Sequence, residues 1–143
     1  MIGIAQFGIA IAALGIVVTL MGLFPGVTGI QPAAGVGVIQ FVLILLGFML
    51  LDFGALIYVK FTFYVGRVSN LAQQVGVRLT LTGLVLAGLT GMADFLGFGS
   101  HARTATTDVY FGQLQALGLL GSLLLSALGV MIYAVSGGMP EES

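Results

Sequence analysis

The sequence predicts an all-α, polytopic membrane protein: a bundle of four transmembrane helices with an amphipathic segment between the second and third. Three observations carry this prediction. Of 143 residues, 59% are hydrophobic and 6% are charged, where a soluble domain carries about 25% charged residues. So little charge cannot coat a surface that faces water. The apolar residues fall into four runs, each near the ~20 residues a helix needs to cross the hydrocarbon core. Proline, glycine and polar clusters separate the runs. Residues 1–143 read as a single transmembrane domain, with spans at about 2–24, 36–60, 79–98 and 112–136.

Composition also removes several classes of function. A net charge of −1 with only four basic residues argues against a nucleic-acid partner. The chain has no cysteine, which excludes disulfides, thiolate metal sites and thiol nucleophiles. Its one histidine, His101, excludes a bis-histidine haem site within one chain. The 23 glycines follow no Gly-X-Y period, and glycine is common where membrane helices pack closely.

The first span opens without a basic n-region and shows no small-residue cleavage site, so it reads as a retained helix rather than a signal peptide. Ala5, Gly8, Ala12, Gly15, Thr19 and Gly22 alternate in steps of three and four, which keeps them on one helical face. Such a face lets another backbone approach. Pro25-Gly26 stops the helix, and the uncharged, turn-rich stretch after it reads as a surface loop, since exposed backbone inside lipid would lack hydrogen bonds.

The second span carries Gln40 near its start, Tyr58 near its end, and Gly47 and Gly54 on a shared face. Asp52 points elsewhere, beside Phe48 and Ala55. In residues 61–78, Phe61, Tyr64, Val65, Val68, Ala72, Val75 and Leu79 recur at helical spacing, with polar residues between them. This segment is either an interfacial helix lying on the bilayer or a continuation of the second span that bends near Gly66. Lys60, Tyr64, Arg67 and Arg78 read as interface anchors here, and Tyr110 reads as one at the start of the fourth span.

The third span shows small residues at Gly83, Ala87, Thr90 and Gly97, with Asp94 on the same face. In the polar connection after it, Thr107 and Asp108 are candidates to cap the next helix. The fourth span sets Gln115, Gly118, Ser122, Ser126 and Gly129 opposite a leucine-rich face. The first and third spans resemble each other in their small-residue faces, but no internal sequence repeat stands out. Lys60, Arg67 and Arg78 flank one connection and Arg103 alone lies in the next. By the positive-inside rule this places both termini in the cytoplasm.

Few groups are equipped for chemistry. Asp52 lies eight residues before Lys60, about 12 Å inside the interface, while Asp94 lies about 24 Å beyond Arg78. The two acids therefore sit at different depths and do not form a direct pair. Asp94, near the opposite surface, is within reach of His101 or Arg103. Ser126, about 15 Å before Ser136, falls close to the level of Asp52 and is its best hydrogen-bond donor within the chain. Intramembrane acids are costly and mark proton or cation sites, although a hydrogen-bonded structural acid is the alternative. His101 is either solvated or a ligand to a metal or a pigment's magnesium. No nucleophile elbow, phosphate loop, zinc-protease motif or Rossmann fingerprint occurs.

The expectation is therefore a small integral membrane protein, not an enzyme, acting as a structural or accessory subunit of a larger complex such as a respiratory or photosynthetic assembly. The alternative is a small oligomeric channel or carrier that uses Asp52 as an intramembrane proton or cation site. No cofactor or metal is expected, with room left for bound lipid or pigment. The expected partners are the lipid bilayer and other membrane subunits.

Overall fold

The computed structural model describes residues 2–24, 26, 38–92 and 113–137. Within them the chain is all-helical: α1 (Ile2–Leu23), α2 (Val38–Phe63), α3 (Leu71–Gly91) and α4 (Gln113–Ser136). Each helix is long and apolar enough to cross a membrane. Asp94, His101, Arg103, Asp108 and Tyr110 lie outside the described residues.

The helices pack as two hairpins, α1 along α2 and α3 along α4, and α2 carries the contact between them. Lipid tails are as apolar as leucine, so close packing and interhelical hydrogen bonds hold such helices together. The first seam is made by glycines seven residues apart. A Cβ added at Gly15 would stand 2.6 Å from Gly47 O, and one added at Gly54 would stand 2.6 Å from Gly8 O. No side chain fits at those distances, so only glycine allows the two backbones to touch.

The second seam repeats the first. A Cβ at Gly76 would stand 2.7 Å from Gly129 O, and one at Gly83 would stand 2.6 Å from Ser122 O. Gly15, Thr19 and Gly22 of α1 correspond to Gly76, Thr80 and Gly83 of α3, while Gly47 of α2 corresponds to Gly129 of α4. A Cβ at Gly47 would collide with Thr19, and one at Gly129 would collide with Thr80. Both threonines donate back to the glycine one turn earlier, Thr19 Oγ1 to Gly15 O at 2.7 Å and Thr80 Oγ1 to Gly76 O at 3.0 Å. The repeat that the residue string hides is thus present in the packing.

Between the hairpins, Ile44, Ala87 and Leu123 form a buried apolar cluster, with Leu45, Phe48 and Leu119 packed against it. The ring of Phe41 occupies the space where Gly91 has no side chain. Most other apolar residues face outward, as expected of helices solvated by lipid.

The third helix begins at Leu71, earlier than the apolar run starting near Leu79 implies. The segment 61–78 is no separate interfacial helix: its first residues end α2, its last residues open α3, and a turn lies between. Gly66 takes φ +72° in that turn, a conformation open to glycine at little cost. Asn70 then caps α3. Its side chain accepts from Gln73 N at 2.8 Å, and Gln73 Oε1 accepts from Asn70 N at 3.2 Å. This reciprocal capping box satisfies donors that the first helical turn leaves free.

Candidate functional site

Two polar clusters occur among the described residues. The first lies deep in the bundle where α2, α3 and α4 meet. Asp52 stands eleven residues before the end of α2, about 17 Å along the axis, and is 4% exposed. Ser126 Oγ donates to Asp52 Oδ2. The Thr80 hydroxyl shares its one proton between Gly76 O and Ser126 O, the latter at 3.2 Å. Ser126 therefore joins three helices, reaching α2 through its hydroxyl and α3 through its carbonyl. Glycine at positions 83 and 129 makes this geometry available, because it brings the α3 and α4 backbones close enough for a short threonine side chain to span the gap.

Sequence depth alone brings Asp52 and Ser126 to one level, and the structure joins them. It adds Thr80, which the sequence reading passes over because that residue falls at the edge of the apolar run. The missed signal is the seven-residue step from Gly76 to Gly83, which extends the small-residue face upstream. Ser122, on the α4 face opposite Gly83, donates to Gly118 O of its own helix at 2.6 Å. Among the described residues, every buried side-chain nitrogen or oxygen has a hydrogen-bond partner. No three His, Cys, Asp or Glu side chains among them converge.

The second cluster closes the end of the bundle where α2 turns into α3. A helix leaves its last carbonyls without intrahelical donors. Those of α4 are met from the turn. Tyr64 Oη donates to Ala134 O at 2.5 Å, Asn70 Nδ2 donates to Ser136 O at 2.7 Å, and Gln73 Nε2 donates to Tyr133 O at 3.4 Å. Each amide accepts within α3's cap and donates to α4, so one residue serves both helix ends. At the other hairpin, Gln40 Nε2 donates to Gly22 O at 3.2 Å and serves α1 in the same way.

Tyr64 sits at the level expected of an interface anchor, but its side chain is turned inward and stacks edge-on against Tyr133 at 6.2 Å. Phe63 beside it faces outward. Lys60 Nζ donates to Arg67 O at 2.5 Å and folds over the turn, while Arg67 and Arg78 are exposed.

This fold, with its outward apolar faces and small polar interior, defines a small multi-pass integral membrane protein, whose four described helices are each fit to contact lipid. No family model, no curated protein and no solved structure matches the chain.

Proposed function

We propose that this protein is a structural or accessory subunit of a larger membrane assembly, with no reaction of its own. One observation carries the reading: the polar groups inside the bundle are committed to one another and to helix ends. Thr80, Ser126 and Asp52 join hairpin to hairpin, and Tyr64, Asn70 and Gln73 close α4. A substrate or transported ion needs polar groups free to receive it, and the buried ones among the described residues are already partnered.

The second reading, a small oligomeric channel or carrier, draws on Asp52 itself. A carboxyl group held near the middle of a membrane helix is the residue type that proton and cation pathways use. Extraction of the tagged protein in mild detergent, followed by native mass measurement, separates the two readings. The accessory role predicts a complex with other membrane proteins at fixed stoichiometry. A homo-oligomer alone would overturn it in favour of the channel.

A further inference from the structure

The described residues contain one carboxylate, Asp52, and it is buried against Ser126. Their three cations, Lys60, Arg67 and Arg78, all belong to the end of the bundle that carries the α2–α3 turn. No described acid stands at that end.

The turn is held firmly. Tyr64 and Asn70 tie it to the last carbonyls of α4, and Lys60 bonds the carbonyl of Arg67. Arg67 is thus presented from a fixed platform beside Gly66.

Arg78 is the more telling residue. It lies on the outward face of α3, about 10 Å along the axis from Leu71. Leu71, Val85 and Leu89 share its face by helical spacing, and all three are exposed. Long side chains on a helix lean toward its N-terminus, and the N-terminus of α3 lies at the same end as Lys60 and Arg67. By that rule the stem of Arg78 leans over Val75 and Gln74, which directs its guanidinium toward the end of the bundle that carries Lys60 and Arg67.

A cation above an apolar stripe is the complement of an anionic amphiphile. We propose that Arg78, at the end of the bundle that also carries Arg67 and Lys60, binds the phosphate of an anionic phospholipid whose acyl chains run away from that end along Val85 and Leu89. A guanidinium recognises phosphate through paired N–H donors, which an ammonium cannot reproduce. The residues around Arg78 favour lipid over a partner helix. Helix–helix contacts in membranes use small residues, as both seams of this protein do, whereas the exposed face around Arg78 carries Val75, Leu81, Val85 and Leu89, with Gln74 and Thr82 beside them and no glycine. The inference does not depend on the accessory role, and it holds in either orientation of the chain.

The test uses the full-length protein in detergent with equal amounts of phosphatidylglycerol and phosphatidylcholine bearing the same acyl chains. Lipid retained by the protein is counted by native mass spectrometry, with and without inorganic phosphate. The wild-type protein is expected to retain the anionic lipid preferentially. Arg78→Gln is expected to lower that preference about fivefold, the effect of one basic residue at an anionic surface. Arg78→Lys should recover part of it, and inorganic phosphate should not compete, because it lacks the acyl chains. Helical content measured by circular dichroism checks that the variants fold.

Equal retention of the two lipids by the wild type would overturn the proposal, as a guanidinium already paired with Glu141 or Glu142 of the tail would produce. So would an unchanged preference in Arg78→Gln. Displacement of lipid by inorganic phosphate would make the site one for free anions. Loss of a protein partner in Arg78→Gln with lipid preference intact would make it a subunit contact.

Discussion

Ser126 has no exposed surface, and its two oxygens address different helices. Replacing it with Ala removes the donor to Asp52 and leaves a buried carboxyl without that partner. Leaving a buried polar group unpaired costs about 1–3 kcal/mol. Asp52→Asn keeps an oxygen that accepts the same hydroxyl, so it should cost less. Reversible unfolding in mixed micelles should order the variants accordingly. A double-mutant cycle between Asp52→Ala and Ser126→Ala should give a coupling of about 0.6–1.7 kcal/mol, the range for interhelical hydrogen bonds in membranes. Zero coupling would remove this contact from the forces joining the hairpins. On the accessory reading, Asp52→Asn also leaves the proton permeability of reconstituted vesicles unchanged. A loss of conductance on that substitution would move the assignment to the channel.

At the scale of the helix, hydropathy and end signals report different things. The apolar runs locate all four helices because lipid selects for hydrophobicity along the whole span. They place the start of α3 too late, because its first two turns contain Gln73, Gln74 and Arg78. Those turns are set by the Asn70-x-x-Gln73 capping box, a local hydrogen-bond pattern that a hydropathy window averages away. The helical periodicity across 61–78 is equally blind to Gly66. It runs through a residue whose positive φ ends one helix before the next begins, so Val68, placed on the apolar face by spacing, is 94% exposed. Asp52 and Ser126 were readable from depth alone, since each carries its distance to a helix end in its number. Thr80 and the interhelical role of Tyr64 were not, because both depend on how the hairpins dock. Two substitutions test the turn. Asn70→Ala should destabilise the protein by about 1 kcal/mol for the lost cap, and by more if the bond to Ser136 contributes. Gly66→Ala should cost about 1–2 kcal/mol for a left-handed backbone. Thermal unfolding of both variants unchanged from the wild type would mean that the turn is free to rearrange.

The described residues form two similar hairpins joined through α2. The positive-inside rule predicts that the end carrying Lys60, Arg67 and Arg78 faces the cytoplasm, and the expectation that both termini lie on that side follows if the four described helices are the crossings. The lack of cysteine makes this directly measurable, because any introduced cysteine is unique. Val68→Cys, in the exposed turn, should react with a membrane-impermeant maleimide only after cells are opened. Thr106→Cys, in the connection between α3 and α4, should react in intact cells. The opposite pattern would invert the molecule and move the proposed phospholipid contact to the outer leaflet.

The bonds that close α4 reach far back along the chain, with separations of 70, 66 and 60 residues for Tyr64, Asn70 and Gln73. During synthesis these side chains leave the ribosome well before the carbonyls they serve. A chain cut before residue 133 would leave Tyr64, Asn70 and Gln73 without the carbonyls they serve. Proteolysis should therefore distinguish such a chain, in which these three donors lack their acceptors, from one that carries α4.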